Sequence, residues 1–220
     1  MNTLDLFSLS GKLAVVTGGE GIMGKIVCET VKELGGFVTS LDLPNDDITR
    51  PSEIMPKFGV GEVDILVHCA IGNQKQVKFP SQGWTWDIEI GLTGAMNMTE
   101  LFLESLKKNR GVILFIGSDL SLKAPLPYRY FPGYKPLSYA VVKHGIIGMM
   151  RYYASMLGDS GVRVNCLCPG GIGQGQPAPG CPMNRLASPD ELKGPLALLM
   201  SPASSYMTGA IVSVDGGTTL

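Results

Sequence analysis

Short apolar runs rich in β-branched residues recur along the chain and alternate with stretches of helical periodicity. The runs are KLAVVT (12–17), FVTSLD (37–42), VDILVH (63–68), GVILFIG (111–117), VRVNCL (162–167) and AIVSVD (210–215). Continuous apolar runs of this length are typical of strands that are buried on both faces of a sheet. They predict six strands.

Helical patterns lie between the predicted strands. They cover about 22–34, 51–57, 84–108, 137–158 and 189–200, and the last begins with SPDEL, in which Ser188 is a suitable N-cap. This alternation predicts an α/β fold of the Rossmann type: a doubly wound parallel sheet whose ligand crevice lies at the carboxyl ends of the strands. Two proline- and glycine-rich segments, 119–136 and 169–182, are predicted loops at that edge.

Composition narrows the possible partners. A chain of 220 residues with 45% apolar and 17% charged residues has the size of a single domain, here 1–220. A formal charge of −1 without a Lys/Arg cluster argues against nucleic-acid and membrane partners and favours a small molecule. The five cysteines show neither CxxC spacing nor an even number, so we expect no metal site and a reducing cytoplasmic location. The start of the chain lacks a signal-peptide pattern, and no apolar run is long enough to cross a bilayer.

A glycine-rich stretch, TGGEGIMGK, follows the first predicted strand and precedes a helix. Gly18, Gly21 and Gly24 would allow a tight turn and let backbone N–H groups approach a pyrophosphate at the helix N-terminus, with Ile22 and Met23 between them. The motif alone is common in ordinary turns. Its position between a strand and a helix favours a dinucleotide site.

Asp42 ends the second predicted strand, 18 residues beyond Gly24. An acid there can accept hydrogen bonds from both adenosine-ribose hydroxyls and would repel a 2′-phosphate. Leu43 and Pro44 supply no compensating cation, and Glu20 adds a second acid near the loop. We therefore expect NAD(H) rather than NADP(H), although Asp42 could also be a solvated residue of a DLPNDD turn.

The stretch SYAVVKHGIIGMM places Tyr139 and Lys143 four positions apart on a predicted helix. Residues i and i+4 share a face, so the ammonium could lower the pKa of the phenol and make proton transfer feasible near neutrality. Chance alone supplies roughly 0.4 such YxxxK pairs, so an ordinary amphipathic helix remains an alternative. Ser118 follows the fourth strand and could hold a substrate oxygen, or simply cap a turn.

Several stretches, taken together and in order, give the chain a resemblance to the short-chain dehydrogenase/reductase family. They are FSLSGKLAVVTGGEGIMG, DITRPSE, VDILVHCA, GVILFIGS, SYAVVKHGIIGMMRYYA, GVRVNCLCPGGI, SPDEL and SSYMTGAIVSVDGG. The resemblance implies that Ser118, Tyr139 and Lys143 form a catalytic triad and that Lys143 also binds the nicotinamide ribose. It also implies cofactor contacts near adenine, along the cleft and beside the nicotinamide, from Asp47, Ile48, Cys69, Ala70, Ile71, Pro169, Gly170, Gly171 and Ile172.

The chain departs from the family pattern at several points. The glycines follow GxxGxxG, HCAI (68–71) replaces NNAG, and Gly91 stands where the family has a catalytic asparagine, which should weaken the proton relay through Lys143. Only four residues separate Asp42 from Asp47, so a strand and a helix are missing and six strands are expected.

An insertion lies between Ser118 and Tyr139, which are 21 residues apart. It resembles an insertion in family members associated with flagellin and nonulosonic-sugar modification. Within it, Tyr128, Arg129 and Tyr130 are candidate substrate-binding residues, because Arg can pair with an anionic group and aromatic rings can stack on a sugar. They could equally cover a subunit interface.

Three functions remain open from the sequence. The first is an NAD(H)-dependent oxidoreductase that interconverts an alcohol and a carbonyl, with a sugar or sugar nucleotide as a candidate substrate. The second is a nucleotide-binding protein with weak or no catalysis, and the third is an NADH-dependent pteridine reductase. By the resemblance, we expect a homodimer or homotetramer formed through helices 84–108 and 137–158 and the C-terminal VDGGTTL.

Overall fold

Six parallel strands form a single sheet in the structure of the chain, a computed structural model that describes residues 2–59, 61–72 and 77–220. The strands are β1 Leu13–Thr17, β2 Phe37–Leu41, β3 Ile65–His68, β4 Val112–Ile116, β5 Arg163–Pro169 and β6 Ile211–Val214. Their order across the sheet is β2-β1-β3-β4-β5-β6, and every neighbouring pair is parallel. The predicted α/β fold with six strands is confirmed.

Helices cover both faces of this sheet. They are α1 Ile22–Glu33, α2 Pro51–Ile54, α3 Trp84–Ile88, α4 Ala95–Asn109, α5 Leu137–Leu157 and α6 Lys193–Met200. Apolar side chains of α1 and α6 pack together in one core, and those of α4 and α5 pack together in the other. Within the described ranges, no helix combines the length and apolar character needed to span a bilayer.

Strand β4 shows why the apolar runs are continuous rather than alternating. Ile113 and Phe115 point into the core beneath α4 and α5, whereas Val112, Leu114 and Ile116 point into the core beneath α1 and α6. All five side chains are buried. Successive residues of a strand face opposite sides of the sheet, so a strand covered on both sides needs apolar residues at every position.

The predicted helix 84–108 has an irregular middle. A π-helical segment, Glu89–Gly94, lies between α3 and α4. Its glycines allow close packing: a Cβ built on Gly91 would lie 2.5 Å from Val142 Cγ1, and one on Gly94 would lie 2.7 Å from Ile48 Cδ1. Segments of this kind are frequent at functional sites, and this one borders the cavity described below through Ile90.

The other predicted helices begin and end close to the expected residues. Short 3₁₀ segments occupy Met55–Lys57 and Pro189–Leu192, so α2 and α6 are shorter than their predicted ranges. Ser188 caps the second segment as SPDEL predicts, and its backbone N–H donates to Glu191 Oε2 at 2.8 Å. The two predicted loops contain no α-helix, and the first holds the 3₁₀ turns Asp119–Ser121 and Pro127–Arg129.

Candidate active site

A cavity of about 790 Å³ lies at the carboxyl ends of strands β1 to β5, within the range of roughly 300–1,000 Å³ that is typical of ligand sites. Its walls include most of the residues that the sequence predicts for the cofactor and the catalytic triad. Those residues are Gly18, Gly21, Ile22, Met23, Gly24, Asp42, Ile48, Cys69, Ala70, Ile71, Ser118, Tyr139, Lys143, Pro169, Gly170 and Ile172.

Two residues predicted to contact the cofactor lie outside this lining. Asp47 instead stabilises its own turn, because its Oδ1 accepts two hydrogen bonds from Thr49. The backbone N–H of Thr49 donates at 3.0 Å and its side-chain hydroxyl donates at 2.6 Å. These hydrogen bonds lower the pKa of Asp47. Gly171 lines a second, smaller cavity of about 110 Å³ beside the C-terminal residues.

The three candidate substrate residues of the insertion are also absent from the lining of the large cavity. Arg129 lines the small cavity, and its Nη2 donates to the backbone oxygen of Pro179 at 3.0 Å. Tyr128 is exposed, and its hydroxyl lies close to Gly180. Tyr130 lies near Lys135, whose Nζ is 6.0 Å from the ring centroid. Their role in substrate binding therefore stays a prediction.

The cavity also has lining residues that the sequence reasoning missed. They are Leu41, Leu43, Asp46, Gly72, Trp86, Ile90, Ile116, Gly117 and Lys135. Ile116 and Gly117 could have been predicted to line the cavity, because Ile116 ends strand β4 and Gly117 connects it to Ser118. Trp86 and Lys135 carry no such signal, since their place depends on how α3 and the insertion fold over the sheet edge.

The glycine loop has the geometry that a pyrophosphate site requires. Gly18 has φ +69°, and a Cβ on it would lie 2.7 Å from Ala70 Cα; a Cβ on Gly24 would lie 2.1 Å from the Gly18 carbonyl oxygen. These two glycines are therefore needed by the protein's own backbone packing. Gly21 is the N-cap of α1 and has only the Gly18 oxygen near it, at 3.2 Å. The helix N-terminus is thus open to an anionic ligand.

Asp42 is held in place at the end of β2. Its carboxylate accepts from the backbone N–H of Glu20, at 3.1 and 3.2 Å, and from the Ser40 hydroxyl. A carboxylate has about four acceptor directions, so capacity remains for ribose hydroxyls. Two neighbouring cations are already paired: Lys25 with Glu20 at 3.5 Å, and Lys57 with Asp46 of the following turn. The residues of this end of the cavity fit an adenosine ribose.

Ser118 caps a turn, one of the two roles that the sequence leaves open, and it also lines the cavity. Its Oγ caps the turn after β4 by accepting from the Leu120 N–H at 3.1 Å and donates to Asp119 Oδ1 at 2.9 Å. It also lies close enough to the Tyr139 side chain to lower the pKa of the phenol. The capping turn therefore holds the serine hydroxyl beside the phenol and at the cavity wall.

Lys143 lies beneath the phenol on the next turn of α5. Its Nζ donates to the Ile116 carbonyl oxygen at 2.7 Å and lies 5.6 Å from the centroid of the Tyr139 ring. The residue is buried, and burial lowers its pKa to about 8 because the ammonium is poorly solvated there. The nearby thiols of Cys166, Cys69 and Cys168 oppose this decrease.

The expected decrease in the pKa of Tyr139 is wrong for this structure. Burial raises the pKa of the phenol, and the nearby Ser118 side chain offsets this only in part, while the nearby Asp119 carboxylate raises it further. The Lys143 ammonium points to a backbone carbonyl rather than to the phenol oxygen. The closer cation is Lys135, whose Nζ lies 3.6 Å from the Tyr139 ring centroid.

His68, which stands at the first asparagine of the family's NNAG, is a core residue. Its ring stacks on Phe115 at 4.7 Å, and its Nε2 pairs with Thr99 Oγ1 at 2.9 Å. Burial lowers its pKa to about 3, so the imidazole is neutral. Across the described residues, no cluster of three or more His, Cys, Asp or Glu side chains is arranged to hold a metal ion.

Comparison with known proteins agrees with this geometry. Residues 12–219 match the family described as enoyl-(acyl carrier protein) reductase. The chain is 29% identical to the 2-dehydro-3-deoxy-D-gluconate 5-dehydrogenase of Bacillus subtilis, over 97% of this chain and 96% of that protein. It is similar to a short-chain dehydrogenase of Leptospira borgpetersenii solved with bound NAD⁺, with 28% identity, a TM-score of 0.86 and coverage of 100% of this chain and 96% of that one.

A gluconate 5-dehydrogenase of Burkholderia cenocepacia, solved in complex with NADP and tartrate, shares the fold. Its TM-score is 0.85 at 23% identity, over 99% of both chains. The matching family, the fold and the relatives support an oxidoreductase that uses a nicotinamide cofactor. The chain therefore belongs to the short-chain dehydrogenase/reductase family of enzymes.

Proposed function

We propose that this enzyme interconverts an alcohol and a carbonyl with NAD(H) as the cofactor, on a polyhydroxylated, sugar-like substrate. The observation that carries the proposal is the convergence of Ser118, Tyr139 and Lys143 on the cavity that also contains the glycine loop and Asp42. A bound nicotinamide supplies or accepts the hydride. The relative that acts on 2-dehydro-3-deoxy-D-gluconate supports a substrate of sugar size.

The protein's own residues supply the proton. The Tyr139 phenol is protonated at neutral pH, because burial raises its pKa above the ordinary value of about 10, so it has a proton to donate. In carbonyl reduction, the phenol O–H gives its proton to the substrate oxygen as hydride reaches the carbon. The Ser118 hydroxyl holds that oxygen, and the Lys143 ammonium stabilises the phenolate left behind. Alcohol oxidation runs the same transfers in reverse.

NAD(H) is favoured over NADP(H) by the charges at the ribose end of the cavity. Glu20, Asp42 and Asp46 line that end, and the cations beside them are engaged in ion pairs. A 2′-phosphate placed there would meet like charge. Pro169, Gly170 and Ile172 line the cavity near the position proposed for the nicotinamide ring, and Ile48 lines it near the position proposed for adenine.

Tyr139→Phe tests the proposal. We expect the variant to retain NADH binding, which is measured by the quenching or shift of NADH fluorescence. Turnover across a panel of sugar-like and simple ketones should fall by about 10²- to 10⁴-fold. Retained turnover in Tyr139→Phe would exclude the assigned proton donor. Failure of the wild type to bind NADH would exclude the function altogether.

A catalytically weak nucleotide-binding protein is the second candidate. The observation in its favour is Gly91, beside which Val142 fills the space that an asparagine side chain would need. The same panel distinguishes the two functions, because a nucleotide-binding protein would bind NADH without turning over any carbonyl. An additional assay with quinonoid dihydropteridine tests the pteridine-reductase alternative.

We also propose that the chain forms a homodimer or homotetramer in the cytoplasm. Exposed apolar side chains on α5, including Tyr152 and Met156, support an interface along that helix. Sedimentation at micromolar concentration should show a species larger than the 23.4 kDa protomer.

A further inference from the structure

We propose that Lys135 binds an anionic group of the substrate, so that the enzyme acts on hydroxy or keto acids of sugar size rather than on uncharged sugars. This inference rests on the proposed function, because it concerns the substrate of the same site. It adds a substrate-binding residue that the triad does not contain and a chemical class that the fold leaves open.

Lys135 lies beside the proposed catalytic residues. The residue lies at the end of the insertion, two positions before the start of α5, and lines the same cavity as Ser118 and Tyr139. Its Nζ lies 3.6 Å from the Tyr139 ring centroid. A substrate whose oxygen contacts the Tyr139 hydroxyl would therefore have its neighbouring carbons within reach of this ammonium. A carboxylate on such a carbon could form a charge-assisted hydrogen bond with it.

The charged residues that line the cavity are separated by sign along its length. The acids that line it, Glu20, Asp42 and Asp46, belong to the loop after β1 and the end of β2. Among the residues that the structure describes, the basic ones that line it are Lys135 and Lys143, and both lie at the opposite end, beside Tyr139. One end therefore suits ribose hydroxyls, and the other suits an anion.

The nearby acid at the catalytic end has partners of its own. Asp119 is paired with Lys123, at 3.1 Å, and accepts from the Ser118 hydroxyl. Lys135 also contributes to the lowered pKa of Lys143, after the larger effect of burial. The two ammonium groups thus repel each other at this end of the cavity. An anion bound close to them would relieve that repulsion.

The insertion holds two other cations, and neither is placed for this role. Arg129 donates to the backbone of Pro179 and lines the small cavity. Lys123 donates to the Thr218 carbonyl oxygen at 2.9 Å in addition to its ion pair with Asp119. Of the three cations in segment 119–136, Lys135 is therefore the one whose side chain lines the catalytic cavity.

The test compares sugar acids with their uncharged counterparts. D-Gluconate and D-glucitol differ at one carbon, where a carboxylate replaces a hydroxymethyl group, and D-galactonate and galactitol form a second such pair. Binding of each to the NADH-loaded protein is measured by titration calorimetry, and oxidation of each with NAD⁺ is measured by absorbance. We expect the wild type to prefer at least one sugar acid over its alditol.

Lys135→Gln should weaken binding of that acid by about 10- to 100-fold, the usual contribution of a hydrogen bond between charged groups, and should weaken alditol binding much less. Lys135→Arg should retain part of the preference, because the charge is kept. Lys78→Gln is the matched control: Lys78 is exposed, its Nζ lies 5.6 Å from the Phe79 ring centroid, and it does not line the cavity. It should behave as the wild type.

The outcomes separate this inference from the proposed function. An enzyme that oxidises or reduces uncharged substrates with NAD(H) equally well before and after Lys135→Gln, and binds neither sugar acid, would overturn the anionic site alone. A protein that does not bind NADH would overturn the proposed function. Sugar-acid binding that is lost in Lys135→Gln, and kept in Lys78→Gln, would support the anionic site.

Discussion

Val142 fills the space beside Gly91, so that a Cβ built on Gly91 would lie 2.5 Å from Val142 Cγ1 and 3.2 Å from its Cγ2. Both residues are buried, Gly91 in the π-helical segment and Val142 one position before Lys143 on α5. The space that an asparagine side chain would need is therefore occupied by the adjacent helix. The pair forms a close contact between the π-helical segment and the turn of α5 that carries Lys143.

Gly91→Ala should destabilise the fold by about 1–3 kcal/mol, the usual effect of adding a methyl group to a packed core. Urea unfolding followed by circular dichroism measures the change. Gly194→Ala is the control, because Gly194 lies in α6 with nothing within 4 Å of its built Cβ; its stability should be unchanged or slightly higher. A Gly91→Ala protein as stable as the wild type would contradict the close packing.

Two glycines of the same loop should respond differently to alanine. Gly24→Ala places a Cβ 2.1 Å from the Gly18 carbonyl oxygen, so the loop must shift and the melting temperature of the protein without cofactor should fall. Gly21→Ala meets only the Gly18 oxygen at 3.2 Å and faces the cavity. It should keep the melting temperature and weaken NADH binding by about 10-fold or more.

Thermal melts with and without NADH separate the two effects. A Gly21→Ala protein that binds NADH as well as the wild type would show that the pyrophosphate does not approach this backbone. Equal melting temperatures for Gly24→Ala and the wild type would show that the loop accommodates the methyl group.

Asp42→Asn should reduce the preference for NADH over NADPH by about 10-fold, since it removes the charge that repels a 2′-phosphate and keeps the side-chain shape. The ratio of kcat/KM for the two cofactors measures the change. Asp46→Asn is the control: Asp46 also lines the cavity but is paired with Lys57, so its substitution should change the ratio less. An identical ratio in Asp42→Asn and the wild type would exclude Asp42 as the discriminating residue.

The buried Lys143 should make stability depend on pH. Its pKa is about 8 in the folded protein and 10.5 in a solvated lysine. Below pH 8 both states carry the proton and the cost of burying the charge is fully present. Between pH 8 and 10.5 the unfolded state binds more protons, so stability rises with pH. The maximal gain over that window is about 3 kcal/mol.

Lys143→Met lacks this titration. The free energy of unfolding of the wild type should therefore increase relative to that of the variant as the pH rises from 7.5 to 10. Chemical denaturation at several pH values across that window provides the measurement. Parallel stability curves for the two proteins would mean that the lysine keeps an ordinary pKa in the folded state.

The sequence by itself determined the strands, their parallel arrangement and most of the residues that line the cavity. Continuous apolar runs mark strands covered on both faces, and a glycine loop between strand and helix marks one wall of the cavity. These features are readable because each depends on periodicity or on backbone geometry within a few residues. The absence of a further strand after Asp42 followed from the family resemblance, since the four residues before Asp47 cannot form the helix and strand that the family has there.

The tertiary structure decided the features that depend on contacts between distant segments. Lys135 lies over the Tyr139 ring because the insertion folds back onto the start of α5, and Arg129 lies at a different cavity although it belongs to the same insertion. The direction of the Tyr139 pKa shift followed from burial, which the spacing of two residues on a helix does not contain. Solvent exclusion is a property of the whole packed molecule, so only the fold could set it.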